Sequence, residues 1–589
     1  MLLAAGLLFP MTYYLNDDVT MRSILSGSYT GVPDGHAVYM KYPLTGLIVF
    51  LYRIKREIPW FDLAMAGCYF AAVTLVLCGT YRLLDQNGEK NSKKNPAKIW
   101  IPTGMVCFCA ALFLPHFIYL HYTIVAAVLC ACGLFLYLTG LWKSAFVLLF
   151  TGLCVRSQVF FLALPFLVVA GLWTFPEKKG KAFFKEVLVL AAGILFILGL
   201  QKGMYASSGW KDYFACNDSR TQLYDYEELL PFEENREAYE EAGIGEEQYR
   251  ILEEYDTALD AGVGQEVFAA AARISAQEKA AYRFSPEYFK KCIKDYYYHL
   301  RYTDRPYNIL WMVLLIGVCI PVIGTGDWKK FIVMGCYVGG RSLIWFYLIF
   351  KGRFPERVYV SLYLMESMLL AGMLCQLFRK GSLCGQLFHR WFCRKKKEER
   401  QPISEACKSH KFYTAAGCLI CLFLCLFLCL QMKETGERLK QQSAKQEEWD
   451  ALMAYCMEQE ESFFLLDVRS VAAYSGSVFQ KESGISYEKQ TALPQNYLLA
   501  GGWMGGTPLM KERFAALGAE DGGDLLIKSA VANADGGVYF VVKAGKNPGW
   551  LAQYLTKRCG QEEEKAFRAV KADSVRLSGE EIFDIYVFR

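Results

Sequence analysis

Apolar residues are gathered into long blocks along this chain, with charged and polar segments between them. A helix that crosses a bilayer needs about 20 mostly apolar residues. Eleven segments fit that requirement closely enough to count as spans: 1–15, 61–84, 101–119, 121–140, 143–156, 158–175, 187–203, 307–325, 331–350, 357–378 and 412–431. The first is short and begins at the initiator Met, which leaves room for a start further upstream. It has neither a basic leading region nor a small-residue cleavage site, so it does not read as a removed signal peptide. Segments 143–156 and 158–175 are divided by Arg156-Ser157-Gln158. They read either as two half-length helices or as one helix plus a re-entrant piece. The run Tyr39 to Ile54 is amphipathic and carries Pro43 and Gly46, so it is predicted to lie on the membrane interface.

Elsewhere the pattern changes. Residues 204–306 read as mostly helical, with Ala- and Glu-rich stretches such as Val267 to Tyr282 that could cap the outer face. Segment 432–446 is polar and reads as a helical stalk. Beyond it a helix over Trp449–Glu458 and strands over Phe463–Asp467, Gly537–Lys543 and Ile582–Phe588 suggest a small α/β domain. The expected fold is an all-α polytopic membrane domain of about eleven transmembrane helices over 1–431. It includes outer loops 16–60 and 204–306, and it is joined through the stalk to an extracytoplasmic α/β domain over 447–589.

Composition agrees with a membrane protein. Of 589 residues 54% are hydrophobic and 21% charged, against roughly 45–50% and 25% in soluble domains. The net charge of +5 averages basic and acidic loops and implies no nucleic-acid partner. Lys90, Lys93, Lys94 and Lys98 collect in one loop, Lys178, Lys179, Lys181 and Lys185 in another, and Arg379, Lys380, Arg390, Arg394 to Lys397 and Arg400 in a third. Placing these basic loops in the cytoplasm puts the N-terminus inside and the C-terminal domain outside. Loop 204–306 then faces outward, and it is acidic, with thirteen carboxylates between Asp225 and Asp256 against Arg236 and Arg250.

Twenty-one cysteines might suggest bridges or metal sites. Most lie in apolar blocks, and Cys418, Cys421, Cys425 and Cys429 recur at helical spacing with no His or carboxylate beside them, which points to packing. Only Cys456 and Cys559 are candidates for a disulfide. Two charges fall inside spans. Arg341 and Glu366 lie at matching depths on antiparallel helices, and an unpaired charge there costs at least about 2.5–3.5 kcal/mol. A mutual ion pair clasping the two helices is expected, with ligand binding or proton movement as the alternative.

The stretch richest in candidate chemistry is the first outer loop, Asn16-Asp17-Asp18-Val19, where two carboxylates stand side by side as the first span ends. Asp18 could cap a helix starting near Val19, stabilising it by about 0.5–2 kcal/mol. Capping accounts for one Asp and leaves the second unexplained. A turn-rich piece follows, Gly31-Val32-Pro33-Asp34-Gly35-His36.

In this acidic pair, and in the interfacial helices after it, the membrane part resembles the GT-C superfamily of polytopic membrane glycosyltransferases. The resemblance implies a polyprenyl-phosphate or polyprenyl-diphosphate sugar donor, used on the outer face of a plasma membrane, by implication bacterial. It also implies that Asp17 and Asp18 are catalytic. One would accept the proton of an acceptor hydroxyl, and the other would orient the acceptor or hold a divalent cation. A phosphate leaving group calls for outward cations. Arg353 and Arg357, beside the Gly352–Pro355 turn, and Arg156 are candidates because guanidinium forks match phosphate oxygens. The alternative for these arginines is snorkelling to the interface or binding anionic lipid. Asp34 and His36 are further candidates for substrate or metal contact. His116 and His121 flank a short connection at the interface, and Tyr224-Asp225-Tyr226 and Tyr296-Tyr297-Tyr298-His299 read as belt residues, with stacking on sugar rings as the alternative.

No nucleotide-binding Gly loop, Ser/His/Asp set or zinc spacing occurs. Gly501-Gly502-Trp503-Met504-Gly505-Gly506 reads as a tight turn around a buried or sugar-stacking Trp, the structural version being favoured. The expected partners are a lipid-linked sugar donor, a glycan, lipid or protein acceptor, and the bilayer. Two other functions fit the same chain: a transporter or flippase of lipid-linked saccharides, and a non-catalytic scaffold for cell-envelope assembly.

Overall fold

A computed structural model describes residue 6 and residues 9–85, 97–177, 180–379, 402–474, 476–479, 495–532, 537–560 and 566–589. Eight of its helices are long and apolar enough to cross a membrane: Trp60–Leu83, Trp100–Ile118, Ser157–Thr174, Gly180–Met204, Tyr307–Thr325, Trp328–Phe350, Glu356–Leu377 and the apolar part of Gly417–Glu458. Tyr42–Ile54, Tyr122–Leu138 and Trp142–Val155 are apolar but shorter. Two departures from the expected spans stand out. Residues 9–15 are not helical, and Thr12–Tyr13 instead forms a two-residue parallel strand with Tyr119–Leu120. The remainder of the first expected span lies largely outside the described residues, as do most of the basic loops at 86–96, 178–179 and 380–401.

The Tyr122–Leu138 helix occupies the centre of the bundle. Every one of its residues is buried, which is where a helix apolar on all sides must sit. It packs against Glu356–Arg379, Trp142–Val155, Trp60–Asp85 and Ser157–Thr174. Close approach is made possible by small residues. A Cβ on Gly152 would stand 2.8 Å from Cys130 Sγ, one on Gly133 2.9 Å from Leu149 Cγ, and one on Gly372 2.8 Å from Leu138 Cδ1, the pattern of helices associating in membranes. At the periphery, Gly180–Met204 presents Leu188, Leu195 and Phe196 outward. The helix carrying Cys418, Cys425 and Cys429 also exposes them, so their spacing follows an outward apolar stripe and not a packed core.

Arg341 and Glu366 meet inside the bundle. Arg341 Nε donates to Glu366 Oε2 at 2.9 Å, Trp345 Nε1 donates to Glu366 Oε1 at 2.8 Å, and the guanidinium lies 4.0 Å over Trp311.

Beyond the bundle, the last apolar segment does not end in a separate stalk. A single helix, Pro402–Glu458, runs through the polar 432–446 stretch into the C-terminal domain. That domain holds a five-stranded sheet in the order Tyr497–Leu499, Phe463–Leu466, Val538–Lys543, Glu580–Phe588, Ala569–Leu577. The first three strands are parallel and the last two pair antiparallel. Alternate residues point to opposite faces. Phe464, Leu466 and Val541 pack with Trp449, Leu452 and Met453 of the long helix. Leu465, Phe540 and Val542 pack instead with Tyr239, Leu252 and Leu259 of the long 204–306 loop. Loop 204–306 and the α/β domain therefore share one hydrophobic core. Cys456 is buried and Cys559 exposed, and both are free thiols, so the expected bridge is not present.

Candidate functional site

Asp17 and Asp18 lie in the first turn of the Asn16–Ser26 helix, whose N-cap is Leu15. Neither carboxylate is the cap that the sequence offered for Asp18, because the helix starts earlier than Val19. Successive residues on a helix point about 100° apart, and the two carboxylates have different surroundings. Asp18 is fully buried, and its Oδ1 accepts the backbone N–H of Tyr122 at 3.0 Å. That N–H opens the central helix, where a carboxylate is favoured by the exposed donors and the dipole. Burial, then the Asp17 charge, hold the Asp18 carboxyl well above its usual value. Its chemistry is that of an anchor between two helices.

Asp17 is half-buried. Burial raises its pKa against the pull of Arg156, Arg357, the Trp503 indole and Arg220, in that order. These groups come from four separate parts of the chain. Arg156 sits at the break between Trp142–Val155 and Ser157–Thr174. Its guanidinium lies 4.6 Å from the Tyr39 ring and 5.2 Å from the Tyr122 ring. Tyr39 in turn stands 4.8 Å from Trp503 of the C-terminal domain. Arg220, on the Ser208–Thr221 helix of the long loop, is held by Asn217 Oδ1 at 2.8 Å and by the Tyr255 hydroxyl. Arg156 Nη1, Asp18 Oδ2 and His121 Nε2 are buried, and none has a hydrogen-bond partner among the described residues. All three belong to residues that border Tyr122, so two N–H donors and one carboxylate oxygen gather there.

The other candidates are engaged elsewhere. Arg353 pairs with Asp225 and covers Tyr226, so the long loop holds it. Asp34 Oδ1 accepts from both His36 N–H and His36 Nδ1 at 2.7 Å, while His36 Nε2 faces the Met204 carbonyl at 3.1 Å. Both ring nitrogens therefore point at acceptors, and the ring stacks 4.9 Å from Trp210. Burial pushes the His36 pKa down, but the Asp34 bond, the Asp34 charge and the Met204 carbonyl together outweigh it and the net direction is up. This pair pins the 16–60 loop to the start of the 204–306 loop and does not face Asp17. His121 caps the central helix by accepting from Thr123 N–H at 2.9 Å, and His116 Nε2 meets the Tyr307 hydroxyl at 2.7 Å. Among the described residues no group of three His, Cys, Asp or Glu side chains is placed to hold a metal.

Sequence reasoning missed Arg220, Tyr39 and Tyr122, and it singled out Trp503 without placing it beside Asp17. It also missed Asp62, which accepts the Tyr13 hydroxyl, lies 3.6 Å from Arg22 Nη1 and accepts Phe479 N–H at 3.2 Å. Asp62 ties the base of the Asn16–Ser26 helix to the Trp60–Asp85 span and to the C-terminal domain. An acidic residue beside Trp60 at the start of an apolar run was its only local signal.

The long apolar helices mark this chain as a helical membrane protein, with a strand-containing C-terminal domain packed on its long loop. No family model, curated protein or solved structure matches the chain.

Proposed function

We propose that the protein is a membrane glycosyltransferase. It moves a sugar from a polyprenyl-phosphate or polyprenyl-diphosphate donor to a glycan, lipid or protein acceptor at the outer face of a plasma membrane. The observation that carries this reading is a single half-buried carboxylate, Asp17, under the influence of three guanidinium groups and beside an aromatic wall. Asp17 takes the proton of the acceptor hydroxyl, the acceptor oxygen bonds to the anomeric carbon, and the bond from that carbon to the phosphate oxygen breaks. A single displacement of this kind inverts the anomeric centre. Arg156 and Arg357 meet the charge that grows on the departing phosphate. A raised carboxylate pKa brings the base closer to working pH, which favours general-base catalysis.

In the orientation we favour, the basic loops are cytoplasmic and the Asp17 site and the C-terminal domain are extracytoplasmic. The test is a transfer assay on purified protein in lipid with a panel of polyprenyl-phosphate sugars. Asp17→Asn should lower turnover by about 10²–10⁴-fold without unfolding the protein. Full turnover in that variant would remove Asp17 from the mechanism. One observation favours a second reading, translocation of a lipid-linked saccharide. The break at Arg156 joins a short helix, Trp142–Val155, to the Ser157–Thr174 helix at a charged residue, and interrupted helices of this kind are a feature of transporter binding sites. Flipping of a fluorescent lipid-saccharide that survives Asp17→Asn would support it.

A further inference from the structure

We propose that Trp503, carried by the C-terminal domain, forms with Tyr39 an aromatic platform for a pyranose ring of the substrate, so that the Asp17 site is complete only when that domain is docked. The inference rests on the glycosyl-transfer reading and adds a positioning residue and a ligand class to it.

Both rings are partly exposed, and their centroids lie 4.8 Å apart, tilted at 52°. Tyr39 also stacks on Tyr122 at 6.0 Å, so the wall continues down to the residue whose backbone anchors Asp18. Aromatic faces carry large apolar area and, in Trp, a polar N–H at one edge. That combination suits the apolar face of a sugar with a carboxylate beside it.

The loop that bears Trp503 is built to hold it in one place. Gly501 has no room for a Cβ, because the backbone of Tyr255 and Thr257 fills that space. A Cβ on Gly505 would stand 2.7 Å from Thr257 Oγ1, and Gly502 has φ 77°, a conformation favouring glycine. Gly502 N–H donates to Tyr255 O at 3.2 Å, Ala258 N–H to Ala500 O at 2.8 Å, and the Tyr213 hydroxyl to Trp503 O at 2.8 Å. The long loop thus fixes both flanks of the Trp. This explains why a Gly-rich turn without phosphate-binding spacing sits at the end of a parallel strand.

The experiment uses the full-length protein in lipid with a donor sugar that the wild type accepts. It measures donor hydrolysis, transfer and their pH profiles for Trp503→Ala, Trp503→Phe and Gly501→Ala. Trp503→Ala is expected to raise KM by about threefold to tenfold. The change falls on the donor if the donor sugar stacks and on the acceptor if the acceptor sugar does. Gly501→Ala, which displaces the loop, should raise the same KM. Trp503→Phe keeps the ring but loses the N–H that helps keep Asp17 ionised. It should hold KM and move the acid limb of the rate profile to higher pH, a change that simple loss of packing does not produce. Unchanged KM in Trp503→Ala together with an unchanged acid limb in Trp503→Phe, while Asp17→Asn is inactive, would overturn the platform and leave the transfer reading standing. Activity in Asp17→Asn would instead remove the transfer reading itself.

Discussion

Replacing Glu366 by Leu leaves the guanidinium of Arg341 buried in the bundle without its anion. Arg341 is 1% exposed and Glu366 fully buried. The pair is bound at 2.9 Å, with Trp345 Nε1 completing the carboxylate at 2.8 Å and Tyr296 OH 3.2 Å from Arg341 Nη1. Removing one member of a buried pair typically costs about 3–5 kcal/mol, because the remaining charge is left uncompensated. The cation–π contacts with Trp311 and Trp345, at 4.0 and 4.4 Å, return up to about 2 kcal/mol in a desolvated site. They persist in Glu366→Leu and are lost in Arg341→Met. We therefore expect each single variant to lose about 3 kcal/mol or more, and the double variant Arg341→Met/Glu366→Leu to lose less than the sum by at least about 2 kcal/mol. The assay is a double-mutant cycle read by reversible chemical unfolding in lipid. Neutral interhelical hydrogen bonds in membranes couple by only about 0.6 kcal/mol on average. A coupling of that size or smaller would refute the clasp and return both residues to the list of functional candidates.

Three further outcomes follow from the packing. Asp256 is fully buried, and its Oδ1 accepts Val468 N–H at 2.9 Å. Burial, then the charge of Asp467, push its carboxyl well above the ordinary value despite Lys546 nearby. A raised folded-state pKa stabilises fully below the unfolded value of about 3.9 and is lost as pH rises through the folded one. The contact between the long loop and the α/β domain should weaken as pH rises above that range. Asp256→Asn, neutral throughout, should flatten the dependence, as read by the unfolding midpoint against pH. Gly152→Val should cost about 1–3 kcal/mol by overpacking against Cys130 and Ala126. Gly199→Ala, whose Cβ meets nothing within 4 Å, should leave the thermal midpoint unchanged.

The spans were legible because burial in a helix bundle is written locally, as runs of apolar residues of the right length. The strands at 463–466, 538–543 and 580–588 were legible for the same reason, since short β-rich runs stand between turns. Contacts across the chain left no such trace. Tyr122 binds Asp18 from 104 positions away, and Trp503 reaches Tyr39 from a different domain. No periodicity in either segment encodes the pairing. Continuity of the Pro402–Glu458 helix was also hidden, because polar residues such as Glu434 to Gln442 extend a helix without any apolar repeat to announce it. The two-residue strand at Thr12–Tyr13 was masked by the apolar block around it. Asp17 and Asp18 looked alike in sequence, and only the identity of the group facing each one separates the proposed base from an anchor.

The unbroken Pro402–Glu458 helix also sets a phase relationship. An added residue anywhere in its polar half would turn everything beyond it by about 100° and advance it by about 1.5 Å. That would carry Trp503 away from Tyr39 around an arc. Seven added residues would bring the angle back to within about 20° but raise the domain by about 10 Å, clear of the 204–306 loop. The segment between the membrane and the sheet is therefore free to vary in composition and fixed in number. Its residue count works as a vernier that registers Trp503 against Tyr39.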